Sequence, residues 1–458
     1  MLTPFLLICC IGKNYNEQKI KVKGLNETVE IYRDNWGINH IYAKNQKDLF
    51  FTQGYAAAAN CAPSRASINT GKWTTRHQIY TVSNSDRGES RDRKLIPIKN
   101  TITLDKKFTV IAQKLKESGY TTCHSGKWHL SDNPLDYGFD ENIAGNHSGG
   151  PGSYYSPYGK EKENNKVNID SNSEKYLTDQ IMEKTLFFLD KIEKPFFLHY
   201  TPYAVHTPIQ KVDSLMFKYK DKQPFKGQKN PEYATMINNL DRNIGNLIDK
   251  LKEKNIFKNT FIIFTSDTGG YYGKITMQRP LRAGKGSYYE GGIRVPFFFY
   301  WKDKIKSGMN TKTYISHLDI FPTIMDAIGD NSMNEEFDGK SLLQHLTNGV
   351  EINKRSLFWH FPIYLQGYNI NDNENRDSLF RTRPGSVIRK GDWKLHYYFE
   401  DKEVELYNLK DDVGEKKDLS KINESKARNL LAELQNWWEI TNAPIPTKLN
   451  PEFLPAKN

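Results

Sequence analysis

The chain has 458 residues, of which 37% are hydrophobic, 13% aromatic and 26% charged. That composition excludes a disordered or membrane-embedded chain, and the length exceeds what one hydrophobic core usually supports, so a large domain with a smaller one is expected. A formal charge of +11 favours anionic partners on electrostatics alone, although a background of solvated lysines and asparagines accounts for it equally well.

Residues 2–11 are apolar but hold Pro4 and are too few to span a bilayer; they resemble the core of an export signal or lipoprotein leader. No basic residue opens the run, and neither Ile8 before Cys9 nor Cys9 before Cys10 is the small residue a lipobox wants. The expectation is export, to a periplasmic or lipid-anchored location. Beyond those two cysteines come only Cys61 and Cys123, too few for a disulfide framework.

Residues 29–43 read, by alternation and turn residues, as a hairpin. Next, Phe108, Ile111, Ala112 and Leu115 recur at helical spacing, Gly119 ends that helix, and 120–123 reads as a strand. The unit returns twice. A helix over about 176–192 precedes the strand 195–200, and a helix carrying Tyr233, Ile237, Leu240, Ile244, Leu247 and Leu251 precedes the strand 260–265. The fold class is therefore α/β, with a mostly parallel central sheet sandwiched by helices. Ligands in such sheets bind beyond the carboxyl ends of the strands, which here carry Gly126-Lys127-Trp128-His129, His206-Thr207-Pro208 and Ser266-Asp267-Thr268-Gly269-Gly270.

After about Leu346 short aromatic and β-branched runs separated by turns predict a smaller C-terminal α+β domain with an antiparallel sheet, closed by a helix over about 424–438. The expected organisation is a leader and hairpin over 1–50, a catalytic α/β domain over 51–345, the small domain over 346–442, and a proline-spaced surface tail over 443–458.

The sharpest motif is Cys61-Ala62-Pro63-Ser64-Arg65 followed by Thr70-Gly71-Lys72. A lone cysteine is usually a buried structural residue, but this one heads a small-residue helix whose N–H groups and dipole favour an anion. The motif resembles the signature of the formylglycine-dependent sulfatases of the alkaline phosphatase superfamily. So, in the same order, do Gly126-Lys127-Trp128-His129, the His-x-Pro element at His206, Ser266-Asp267 with Gly269-Gly270, Lys285 within Ala283-Gly284-Lys285-Gly286, and Glu405-Leu406-Tyr407-Asn408-Leu409. The likeness runs from about residue 51 onward.

The resemblance implies hydrolysis of sulfate esters, on carbohydrates, by a hydrated formylglycine that a separate maturation enzyme makes from Cys61. It implies that Arg65 holds the nucleophile, that Lys127 and Lys285 clamp the sulfate, that His206 with help from Lys285 protonates the leaving oxygen, and that His129 is the base for the second step. It also implies one calcium ion on Asp267, Thr268 and position 61. Cationic groups and a metal suit an anionic ester whose cleavage leaves an alkoxide. Residues 153–158 and 357–362 resemble sulfatases acting on sulfated galactose or N-acetylgalactosamine. The partners implied are the sulfated carbohydrate and the maturation enzyme, with no nucleic acid, and a membrane only through a lipid anchor.

The N-terminus departs from the family. Sulfatases begin with a buried strand ending in two aspartates that supply half of the metal site, and no such pair precedes Cys61; residues 25–55 instead resemble the start of a penicillin acylase, whose catalytic serine has no counterpart here. Calcium wants six to eight oxygens, so the expected site is incomplete and activity is in question, with Asp34 or Asp48 as the only substitutes in view. A non-catalytic protein binding sulfated glycan is the alternative; a phosphomonoesterase is disfavoured because Cys61 replaces its Ser or Thr nucleophile. Trp128 and Tyr203 are as suited to packing as to stacking on a sugar. Cys123 and His124 read as buried, and Asp411-Asp412 as a solvated loop.

Overall fold

A computed structural model describes residues 53–455, apart from 160–166, 225–226, 274, 306–313, 333–336 and 368–373, together with the backbone of two earlier strands. Those strands, β1 (Val29–Arg33) and β2 (Asn39–Ala43), pair antiparallel with Val29 opposite Ala43, which is the hairpin read from the sequence. The leader, Asp34 and Asp48 lie outside the described residues.

The chain then alternates as its periodicity requires. A short strand β3 (Gln53–Tyr55) leads to helix α1 (Cys61–Thr70), whose C-terminus is closed by Gly71 in the left-handed region at φ 65°. Helix α2 (Ile111–Glu117) feeds strand β4 (Thr121–Gly126), followed by β5 (Glu141–Ile143). Helix α3 (Leu177–Lys191) precedes β6 (Phe196–Thr201), and α4 (Pro231–Glu253) precedes β7 (Ile262–Thr265). Asn230 caps α4 by accepting from the Tyr233 amide, and Pro231 occupies the first turn, where a missing N–H costs nothing. Strand β8 (Arg294–Tyr300) and helix α5 (Ile320–Ile328) complete the α/β part.

The central layer comes in two pieces. One is the parallel ribbon β5-β4-β6; the other is β3-β8-β7, in which β8 runs antiparallel to both neighbours. Both pieces share the same two faces. Phe196, Leu198 and Tyr200 of β6 and Ile262 of β7 pack into the cluster that holds α3 and α4. Phe197 of β6, with Phe261 and Ile263, packs into the opposite cluster that holds α2 and α5. Alternate residues of both pieces thus meet the same helical layers, the pattern of one sheet with helices on both sides.

The C-terminal sheet is β9 (Ser356–Phe361), β10 (Gly385–Lys390), β11 (Trp393–Tyr398) and β12 (Val404–Asn408), ordered β12-β11-β10-β9 and antiparallel throughout. Helix α6 (Glu424–Thr441) packs Leu430, Leu434 and Trp437 onto it. Tyr55, Tyr80, Tyr288 and Ile293 share a cluster with Trp359 and Val387, so the small sheet and the α/β part are joined by buried apolar surface. The tail lies over the 90–96 segment, with Ile96 N–H donating to Lys448 O at 2.8 Å and Asn450 N–H to Lys94 O at 2.9 Å.

Candidate active site

Five chain segments meet at the carboxyl ends of β4, β6 and β7, and every one of the predicted residues Cys61, Arg65, Lys127, His129, His206, Asp267, Thr268 and Lys285 lines a single cavity there. Cys61 is the first residue of α1, with Asn60 extended before it and no acidic residue in the first turn. Its thiol is buried. Burial pushes that thiol up, but Lys127, then Lys285 and His129, outweigh it and hold it well below the usual thiol range. The position is built for a negative charge.

Arg65, one turn along the same helix, donates through Nε to Asp267 at 2.9 Å and through Nη1 to the Lys127 carbonyl. It thereby ties α1 to the ends of β4 and β7. Gly126 makes the β4 end feasible: it has φ 106°, and a Cβ there would stand 2.1 Å from Thr201 O. Lys127 follows it and is buried; burial is the main cause of its fall to about 8, opposed by the charge of Cys61. Asp267 is held far below the usual carboxylate range: burial opposes this, but Arg65, Lys127 and Lys285 win.

His129 has φ 63° and a buried Nδ1 with no hydrogen-bond partner among the described residues, while a side-chain hydrogen bond joins it to Cys61. Burial lowers it first of all. His206 is lowered to about 4 by burial, then by Lys285 and Lys127, and is neutral near pH 7. Its Nδ1 lies 2.8 Å from Thr207 O, and because a carbonyl only accepts, that nitrogen carries the proton and Nε2 presents a lone pair.

The backbone of Gly149 and Gly150, which the sequence reading passed over, lies against both imidazoles. A Cβ on Gly149 would meet His129 Cε1 at 2.6 Å, and one on Gly150 would meet His206 Nδ1 at 2.6 Å. Adjacent glycines in a loop were the only signal for this, and it was weak. His317 was also missed. It is fully buried behind the site, with Nδ1 2.9 Å from Ser64 Oγ and Nε2 3.1 Å from Thr265 Oγ1, linking α1 to the end of β7.

Other expectations resolve through packing. Trp128 is buried, donates to Ser131 Oγ at 2.8 Å and contacts His124, Tyr137 and Phe139, so it belongs to the core and not to a sugar platform. Tyr203 is buried with its hydroxyl donating to Ala144 O at 2.9 Å. Cys123 and His124 are buried on β4 as expected. Asp412 accepts from the Lys416 and Lys417 amides, a loop role.

The donor set among the described residues does not fit a calcium ion. Among the described residues no group of three or more His, Cys, Asp or Glu side chains is placed to hold a metal. Asp267 is the one carboxylate at the centre among the described residues and is paired to Arg65 at 2.9 Å. Thr268, also buried, turns its hydroxyl back to Gly269 O at 3.1 Å.

A family model for sulfatases matches residues 26–330, and one for the C-terminal part of N-sulphoglucosamine sulphohydrolase matches 284–442. The chain belongs to the sulfatase family. It is accordingly a sulfuric ester hydrolase by descent. A sulfatase of Formosa agariphila is 29% identical over 457 aligned positions, covering 84% of this chain and 80% of the relative. The N-acetylgalactosamine-6-sulfatase of Canis lupus familiaris is 26% identical, covering 71% of this chain and 66% of that enzyme. Among solved structures, Ps i-CgsB superposes with a TM-score of 0.68 at 26% identity, covering 87% of this chain and 91% of the other. The same protein in complex with k-i-k-neocarrahexaose gives 0.66 at 26% identity, covering 88% of this chain and 93% of the other. A structure bound to D-glucosamine-2-N,6-O-disulfate shares the fold at 20% identity, with a TM-score of 0.64 and coverage of 87% of this chain and 93% of that one.

Proposed function

We propose that this sulfatase acts on sulfated carbohydrate through an oxygen nucleophile at position 61, the cysteine having been oxidised to formylglycine. The observation that carries the reading is the placement of Cys61 at the start of α1, buried among Lys127, Lys285, Arg65 and His129. Formylglycine there supplies a hydrated aldehyde whose hydroxyl oxygen attacks sulfur. Lys127 and Lys285 hold the sulfate oxygens and stabilise charge as the ester bond breaks. Arg65, braced on Asp267 and the β4 end, fixes the nucleophile helix. His129, joined to position 61 by a side-chain hydrogen bond, takes the proton that must leave that position before sulfate is released. His206 is neutral with Nε2 bare, so it must first gain a proton to serve the leaving oxygen; the approach of the anionic ester raises its affinity for one. Galactose and N-acetylgalactosamine sulfates are the favoured substrates, on the likeness to N-acetylgalactosamine-6-sulfatase and to a protein solved in complex with k-i-k-neocarrahexaose.

The maturation enzyme is a required partner, and it meets the motif before folding, because Cys61, Ala62, Pro63 and Ser64 are all buried in the finished structure. No step is assigned to calcium. That misfit supports a second reading, a protein that binds sulfated glycan without turnover. The deciding experiment is sulfate release from sulfated galactose oligosaccharides by chain carrying formylglycine at 61, with and without calcium. Release abolished by Cys61→Ala supports the enzyme; stoichiometric oligosaccharide binding without release supports the second reading and overturns the first.

A further inference from the structure

Lys127 and Lys285 do not exhaust the positive charge around the cavity. Arg87, Arg381, Lys220, Lys222 and Lys229 line it as well. Among the described residues two carboxylates stand against them, Asp267 and Glu193. The first is paired to Arg65, and the second precedes β6, at the end of that strand away from the site. A cleft lined by one sign of charge concentrates the opposite sign. A sulfate monoester brings a single negative charge, which the two lysines already match, so the further cations call for a further anionic group.

The arginines stand beside Lys285. The loop that carries this lysine is held from two sides: Gly286 N–H donates to Ala59 O at 2.9 Å, and Arg381 donates through Nη1 to Lys285 O at 3.3 Å. A Cβ on Gly286 would stand 2.9 Å from Arg381 Nη1, so the two segments are in direct contact. Arg381 also donates through Nε to Gln366 O at 2.8 Å, within the antiparallel pairing of Leu365–Gln366 with Phe380–Thr382. Residues 85–88 run along that pairing. Tyr364 N–H donates to Ser85 O at 2.9 Å, Asp86 bridges Tyr364 in parallel, and a Cβ on Gly88 would meet Phe380 Cε1 at 2.7 Å. Going outward from Lys285, Arg381 therefore comes first and Arg87 next.

Their roles differ. Arg381 donates to two main-chain carbonyls and fixes the Lys285 loop. Arg87 is half-buried, lines the cavity and forms no ion pair among the described residues. Its neighbours Asp86 and Glu89 are exposed and are not among the residues lining the cavity. A guanidinium offers paired N–H donors in a plane, which two oxygens of one sulfate group match.

We propose that Arg87 is a second sulfate subsite, holding a sulfate ester on a sugar adjoining the one whose sulfate is cleaved. This rests on the reading above that the substrate is a sulfated galactose or N-acetylgalactosamine glycan. It makes the enzyme selective for glycans sulfated on neighbouring sugars, with Arg87 setting affinity and taking no part in bond breaking.

The test compares two galactose tetrasaccharides, one with a single sulfate and one with a second sulfate on the adjoining sugar. Binding is measured by calorimetry on the full chain carrying Cys61→Ala, where no turnover intervenes. The disulfated tetrasaccharide should bind about 10-fold more tightly, a preference that shrinks as salt rises. Adding Arg87→Gln should remove the preference and leave the monosulfated ligand as before, whereas Arg87→Lys should keep part of it. Arg91→Gln takes the same charge from an exposed position of the same segment outside the cavity lining and should leave the preference intact. With formylglycine at position 61, Arg87→Gln should raise KM for the disulfated substrate by about 10-fold at unchanged kcat. Equal affinity for the two tetrasaccharides, or an equal loss for both in Arg87→Gln, overturns the subsite and leaves the sulfated-glycan reading standing. A loss in Arg91→Gln as large as in Arg87→Gln assigns the preference to diffuse charge and also overturns it. Failure of both tetrasaccharides to bind overturns that reading, and the subsite with it.

Discussion

Lys127 shows how far one residue can be moved by where it sits. Buried beside Arg65 and Lys285, it falls to about 8, and the groups that favour its charge are Cys61 and then Asp267. A sulfate group arriving on it restores the charged form, so binding must draw a proton from solvent. At pH 8 we expect uptake of about half a proton per inorganic sulfate bound, measured by calorimetry in buffers of different ionisation enthalpy. Lys127→Arg should abolish the uptake while leaving a cation in place. His206 titrates in the other window. Its folded value near 4 lies below the roughly 6.5 of an exposed histidine. Between those values the unfolded chain binds more protons, so stability rises with pH through the window, is fully present above 6.5, and is lost as pH falls toward 4. His206→Gln should flatten the urea-stability profile there by up to about 3 kcal/mol; the other buried histidines, among them His317 and His360 at about 4 and His77 and His199 at about 3, keep the remainder of the slope.

At the scale of elements, the side chains proposed for catalysis sit on strand ends and a helix start, but a loop packs against two of them. Gly149 and Gly150 press bare backbone onto His129 and His206, each leaving 2.6 Å where a methyl would have to go. Gly149→Ala and Gly150→Ala should therefore displace one imidazole each. The expected result is a kcat lower by about 10- to 100-fold with Tm nearly unchanged, since the loop can yield where the chemistry cannot. An equal loss in both variants of kcat and of folded protein would place the glycines in stability instead.

At the scale of the molecule, the α/β part and the small sheet are pinned together by charge as well as by apolar contact. Glu290, just before β8, accepts from Lys394 Nζ of β11 at 3.0 Å, and the same ammonium lies 2.9 Å from Glu415. All three side chains are fully buried. Lys394→Met leaves two carboxylates in one dry space, and chemical denaturation should show a loss of about 3–5 kcal/mol. Lys394→Met combined with Glu415→Gln should recover part of it, because the Glu415 charge is gone while Glu290 keeps Arg294 and Arg389 at 3.5 Å.

How much of this was legible beforehand follows from range of interaction. Helices α2, α3 and α4 and the strands after them were readable because 3.6- and two-residue periodicities are local, and the site residues were readable because Cys61, Arg65, Lys127, His129, His206, Asp267 and Lys285 sit in short motifs at strand ends. The sequence by itself determined the order of elements, the cationic character of the site, and the absence of an aspartate pair before Cys61. Tertiary structure decided what depends on contacts between distant segments. It put Trp128 into the core, paired Asp267 with Arg65, and laid Gly149 and Gly150 against two histidines. No periodicity encodes these, since each is fixed by which surfaces meet after the chain has closed on itself.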